Sequence, residues 1–228
     1  MNPRCTLLLA VVAHAILGGC HSAPWSMGLF AEHEKSTYRT ATMRIDAIRE
    51  FAARSTKVDT PEQREITNQL ARQIQVEPDP LVREAIVASI AEFRTPLAMQ
   101  VLEAGMQDSD VGVRGACCLA LGRRGDASGV PLLARVIESE SDVDVRLSAV
   151  DALGSIDSPE SVAALAIALE DSNPAMQFAG VRSMQAISDR EYGGDVASWL
   201  QYAKGNEPTP TDGAEISVAG RLRQLSPF

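Results

Sequence analysis

The stretch Asp110-Val-Gly-Val-Arg-Gly-Ala-Cys-Cys-Leu-Ala-Leu-Gly122 returns 32 residues later as Asp142-Val-Asp-Val-Arg-Leu-Ser-Ala-Val-Asp-Ala-Leu-Gly154. Two further segments open in the same way, Asp79-Pro-Leu-Val-Arg83 and Asn173-Pro-Ala-Met-Gln177, so the four starts lie 31, 32 and 31 residues apart. After each start, apolar or small residues recur at fixed offsets: Val113, Cys117, Ala120 and Leu121 in one copy, Val145, Ala149, Ala152 and Leu153 in the next. Offsets of this kind place side chains on one face of a helix. Asp or Asn at the start suits an N-cap, whose oxygen accepts an orphan backbone N–H. Pro80 and Pro174 then take the first helical position, where no N–H is missed. Gly122 and Gly154 read as C-caps.

A second helix follows in each unit. Its capping candidates Thr95, Asp126, Ser158 and Asp189 keep the same spacing of 31, 32 and 31 residues. Behind them come Met99, Leu102 and Met106, then Val130, Leu133 and Ile137, then Val162, Leu165 and Leu169. The last copy keeps Val196 and Leu200 but carries Gly193 at the first of these positions. A divergent earlier pair is expected over Ser36–Arg54 and Pro61–Val76, with Ile66, Leu70 and Ile74 facing inward. Neither helix of a pair can bury its apolar face alone, so neighbouring pairs must stack.

The unit Asp-x-x-Val-Arg, followed by Ala120-Leu121-Gly122 or Ala152-Leu153-Gly154, resembles the short HEAT-like repeat of the phycobilisome-lyase type. The resemblance covers residues 79–203 well and 36–76 loosely. It implies an all-α fold: a right-handed α-α superhelix, a HEAT-like solenoid of about five helix pairs. The expected organisation is a leader over residues 1–19, a spacer over 20–35, the repeat domain over 36–203, and a linker and tail over 204–228.

Composition agrees with thin helical layers. Of 228 residues, 45% are hydrophobic but only 4% aromatic, so a core must be built mainly from Ala, Val, Leu and Ile. Lys and Arg number 21 against 30 Asp and Glu, a formal net charge of -9. That balance argues against nucleic acid as a partner, because such affinity comes largely from cations neutralising phosphates.

The amino terminus reads as an address. Arg4 precedes an apolar run from Thr6 to Leu17, which suits a signal peptide and is short for a bilayer span of about 20 residues. The run ends in Leu17-Gly18-Gly19-Cys20, which resembles a bacterial lipobox. The resemblance implies cleavage before Cys20 and lipidation of its thiol, hence a membrane anchor in the bacterial cell envelope. His21 stands where a retention-type Asp would sit, which leaves export to the outer membrane open. Cys5 would leave with the leader, and the adjacent Cys117 and Cys118 point about 100° apart on a helix, so no relaxed disulfide joins them.

Arg83, Arg114 and Arg146 form a ladder, one per repeat. They read as structural, each pairing with Asp79, Asp110 or Asp142 four residues earlier or with the adjoining repeat. Cys117 aligns with Ala149 on the core face, so both thiols are expected to pack; His14, His21 and His33 are too distant to complete a metal site. The segment Tyr192-Gly-Gly194-Asp195 followed by Trp199 resembles the end segment of many bacterial HEAT-repeat proteins. Asp195 should cap the last helix, and Trp199 should spread over the final core layer. Beyond Lys204, Gly205–Gly213 reads as linker, and Ile216, Val218, Leu222 and Leu225 suit a short docking helix that Gly220 weakens.

No Gly-rich phosphate loop, paired-His signature or nucleophile elbow occurs in the sequence. The expectation is a non-enzymatic, membrane-tethered adaptor that binds another protein, with no cofactor or metal. Gln100, Glu103, Arg135 and Glu138 on the second helices are candidates for the partner surface. The alternative is a lyase-like or ligand-binding repeat protein that handles a chromophore or other small molecule, a reading by fold analogy alone.

Overall fold

In the computed structural model, residues 40–208 are described, and they form ten α-helices without a strand. In chain order these are α1 (Ala41–Ala52), α2 (Pro61–Val76), α3 (Pro80–Ile90), α4 (Pro96–Gly105), α5 (Val111–Arg124), α6 (Val130–Ser139), α7 (Val143–Leu153), α8 (Pro159–Leu169), α9 (Pro174–Ile187) and α10 (Val196–Ala203). The leader, Cys20, the spacer and residues 214–225 lie outside the described residues.

Local chemistry sets the helix starts. Thr40, Thr60, Asp79, Thr95, Asp110, Asp142, Ser158, Asn173 and Asp195 each accept an N–H of the first turn through the side chain. Pro61, Pro80, Pro96, Pro159 and Pro174 stand directly after their caps, pre-set for helical φ.

The helices alternate between two layers, as an α-α solenoid requires. α1, α3, α5, α7 and α9 pack side by side in the first layer. In the second, α2 packs on α4, α6 on α8, and α8 on α10, while the backbones of α4 and α6 draw apart. Between the layers runs one continuous apolar core from Ile48 through Leu102, Leu133 and Leu165 to Trp199, all fully buried.

Three local expectations are corrected. Gly122 lies inside α5, and the helix ends instead at Gly125, whose φ of 68° is left-handed. Gly154 does end α7, but with an ordinary right-handed φ of -66°. Both glycines are there for close packing between first-layer helices. A Cβ on Gly122 would stand 2.8 Å from the Cα of Ala152, and one on Gly154 would stand 2.7 Å from the Cβ of Ser183.

Asp126 does not cap α6. Its carboxylate is taken by Arg94 at 2.7 Å and Arg124 at 3.2 Å, and a 3-10 turn over Ala127–Gly129 comes before the helix. Asp189 likewise caps nothing. The last second-layer helix starts only after Asp195, because Gly193, with a φ of 55°, turns the chain first.

Candidate functional site

The arginine ladder is closed by residues outside the repeated motif. Arg83 donates from Nε and Nη2 to the Asp108 carboxylate at 2.9 and 2.8 Å, and from Nη1 to the Glu77 and Pro78 carbonyls. Arg114 donates likewise to Glu140 at 2.9 and 3.2 Å, and to the Asp108 carbonyl. Arg146 pairs with Asp171 and donates from Nε to the Ile137 carbonyl. Pairing with the Asp four residues earlier is therefore not what the structure contains; Asp79, Asp110 and Asp142 turn to their own helix N-termini.

Each acidic partner does two jobs. Asp108, Glu140 and Asp171 also accept the backbone N–H two residues on, at 2.8, 2.9 and 2.7 Å, which orders the entry to the next first-layer helix. Glu77 does the same for Asp79 and holds Arg44, which extends the ladder to α1. At the other end, Gln177 keeps only a bond to the Asp171 carbonyl.

The guanidinium of Arg83 holds the Asp108 carboxyl below the usual range, and Arg114 does so for Glu140. For Asp171 the backbone N–H of Asn173 is the larger cause, with Arg146 adding to it. These acids recur 31, 32 and 31 residues apart, two positions before each cap, so the repeat period itself could have identified them. With its donors engaged in this way, the ladder is internal wiring rather than a basic stripe for a partner.

Cys117 and Cys118 are fully buried. Burial raises both thiols, Cys118 to about 12. Among the described residues no group of His, Cys, Asp and Glu is placed to hold a metal ion, and no helix is long and apolar enough to cross a membrane.

At the carboxyl end of the array, Trp199 is fully buried, donates its indole N–H to the Gly193 carbonyl at 3.0 Å, and meets the Tyr192 ring edge-on at 5.0 Å. Gly194 sits in the turn before Asp195, whose carboxylate accepts from the Ala197 N–H and the Ser198 hydroxyl.

An open cleft lies between α4 and α6. It measures about 650 Å³, within the usual range of ligand sites. Ala104, Met106, Leu132 and Val136 supply its apolar lining; Gln107, Ser139 and Ser141 add polar groups. One end of it is walled by the ladder residues Asp108, Arg114 and Glu140. Glu103 and Arg135 face each other at 3.9 Å, both more than half exposed. Of the four partner-surface candidates these two join the cleft, whereas Gln100 and Glu138 are exposed outside its lining. Sequence reasoning missed this lining: Met106 reads as core by its spacing, and Leu132 and Val136 stand one position before the core residues Leu133 and Ile137.

The family model described as HEAT repeats matches residues 67–146 and 135–201. A relative from Pseudanabaena tenuis, named Uncharacterized phycocyanin operon protein Z, is 34% identical over 118 residues. That match covers 48% of this chain and 58% of the relative, so the chain spans less than two thirds of the relative's length.

Proposed function

The chain belongs to the HEAT-repeat family, and from that premise we propose that it is a non-catalytic scaffold that binds another protein through the cleft between α4 and α6. The observation that carries this reading is the separation of two second-layer helices within an otherwise closed stack. The cleft offers a mixed polar and apolar lining, and a rim with one carboxylate at Glu103 and one guanidinium at Arg135. It is held by ladder pairs on one side, so its walls are pre-formed and little ordering is needed on binding.

The test is site-specific photo-cross-linking in intact cells from Gln107 and from Ser139, with Asp144 on the first layer as control. A scaffold of this kind gives the same cross-linked protein from both cleft positions, none from Asp144, and loses it on Leu132→Arg. Equal yields from all three positions would falsify the assignment of the cleft.

The lipobox-like sequence ending at Cys20 supports lipidation there, and with it attachment of the scaffold to a membrane of the bacterial cell envelope. Several acyl chains anchor far more firmly than one, since each buried CH₂ contributes about 0.8 kcal/mol. Globomycin treatment or Cys20→Ala should leave an unprocessed or unlipidated form. Unchanged processing and unchanged detergent partitioning would exclude the anchor.

A second reading rests on the relative's name, which ties that protein to a phycocyanin operon. On this reading the cleft handles a chromophore or a pigment-bearing protein. Absorbance of the purified protein after incubation with a linear tetrapyrrole distinguishes the two: a bound, spectrally shifted pigment favours the second, and a pigment that stays free favours the first.

A further inference from the structure

One core position breaks the repeat. Phe93, Arg124, Ile156 and Ile187 follow one another at the repeat spacing of 31, 32 and 31 residues. Phe93 and Ile156 are fully buried, and Ile187 packs against the same core. Arg124 is buried too, its side chain 4% exposed, so a guanidinium stands where the other units place an apolar side chain. It donates from Nη1 to the Ala91 and Phe93 carbonyls and pairs through Nη2 with Asp126, while its Nε has no partner among the described residues. Arg94 completes the cluster by donating to the Asp126 carboxylate and the Arg124 carbonyl. Its counterparts are Gly125, Asp157 and Ser188, so neither guanidinium recurs in the other units.

Stability of the stack does not account for this cluster. Burying a guanidinium costs desolvation, the unmade hydrogen bond at Nε adds to that cost, and apolar replacements of buried ionic groups are often neutral or stabilising. What the cluster accompanies is a local change in the second layer. Thr95 and Ser158 cap their helices, and α4 and α8 begin on the next residue. Asp126 holds the same register position but is engaged by the two guanidiniums, and α6 begins only at Val130, after the 3-10 turn. Such a turn rises about 2.0 Å per residue where an α-helix rises about 1.5 Å. At this same interval the backbones of α4 and α6 draw apart, whereas α2 packs on α4 and α6 on α8.

We propose that Arg94, Asp126 and Arg124 are positioning residues that hold α6 away from α4 and so set the width of the cleft. Engaged by two guanidiniums, Asp126 does not cap an early start of α6. The grip of Arg124 on the Ala91 and Phe93 carbonyls, with that of Arg94 on the Arg124 carbonyl, fixes the connection into α4 against the turn into α6. A local rule of the repeat is broken where the second layer opens, as is common at functional sites. The inference concerns the shape of the cleft and is independent of what occupies it.

The double variant Arg124→Ile/Asp126→Ser installs the residues of the following unit, Ile156 and Ser158. Arg94 is partly exposed and can then turn to solvent. Pulsed EPR between nitroxides at Gln100→Cys on α4 and Glu138→Cys on α6 reads the separation in the full chain in detergent, Cys117 and Cys118 being buried. Thermal melts by circular dichroism run beside it. The expected result is a shorter distance than in the parent, as the axes move toward the roughly 8–10 Å of packed helices, with a Tm at or above the parent's. A distance that is unchanged or longer overturns the proposal. So does a variant that melts below the parent or fails to fold, because the cluster then serves the stability of the stack.

Discussion

Arg83 and Asp108, 25 residues apart, meet through two hydrogen bonds of 2.9 and 2.8 Å that tie α3 to the loop leading into α5. Both side chains are largely buried, at 13% and 15% exposure, so solvent screens the pair far less than a surface ion pair. Arg83→Ala removes the charged hydrogen bonds and leaves Asp108 half satisfied by the Asp110 N–H. Hydrogen bonds to charged groups are worth about 1.5–3 kcal/mol, so a loss of about 2 kcal/mol is expected in urea unfolding. A change below the error of the measurement would mean that the ladder contributes nothing to stability.

The same geometry sets an acid limit. Asp108, Glu140 and Asp171 have carboxyls held below their ordinary values of 3.8, 4.5 and 3.8 in the folded protein. A depressed folded value means the unfolded chain binds the proton first. The stabilisation is therefore present above those ordinary values and is lost as pH falls through the depressed ones. Stability should hold from neutral pH to about pH 5 and decline below it. Asp108→Asn should be less stable at pH 7 and show a shallower decline in acid. Parallel curves for parent and variant down to pH 3 would exclude this carboxyl as a contributor.

How much of this was legible depended on whether the cause was local. Asp79, Asp110, Asp142 and Asn173 cap helices through atoms two or three residues away, so their chemistry is written in the adjacent sequence. Gly122 was misread because an apolar run ending in Gly looks like a helix end, while the reason for the glycine is the Ala152 backbone on another helix. The cleft was legible only in part, through Glu103 and Arg135; its enclosing walls were not. Nor was the pairing of Asp126 with Arg94, 32 residues earlier, which no pattern within one repeat displays.

Gly122→Ala and Gly154→Ala separate the packing role from capping. Each new Cβ would meet a neighbouring helix at under 3 Å, and at Gly122 the obstacle is Ala152 backbone that cannot step aside. Overpacking of this kind costs about 1–3 kcal/mol. Gly194→Ala is the control, because nothing lies within 4 Å of the added atom and its φ is not in the left-handed region. Thermal melts that rank all three variants together would contradict the close-packing account.

Cys117 and Cys118 should resist alkylation in the folded protein. Both are fully buried, and desolvation raises each thiol, so almost no thiolate exists near neutral pH. Maleimide labelling should be negligible in buffer and complete in urea. Rapid native labelling of either thiol would show that α5 opens locally, and would return these cysteines to the set of candidate reactive groups.

Trp199→Ala tests the end of the array. The indole is fully buried, bonded to the Gly193 carbonyl, and ringed by Tyr192 and Tyr202 at 5.0 and 6.1 Å. Large aromatic truncations of this kind cost about 3–5 kcal/mol. In a stack where each repeat touches only its neighbours, the loss should begin at one end. Hydrogen exchange should therefore accelerate first over α10 and α9, with α1 to α4 keeping their protection. Uniform acceleration along all ten helices would mean that the repeats unfold as one unit, and that Trp199 stabilises the whole array rather than its last layer.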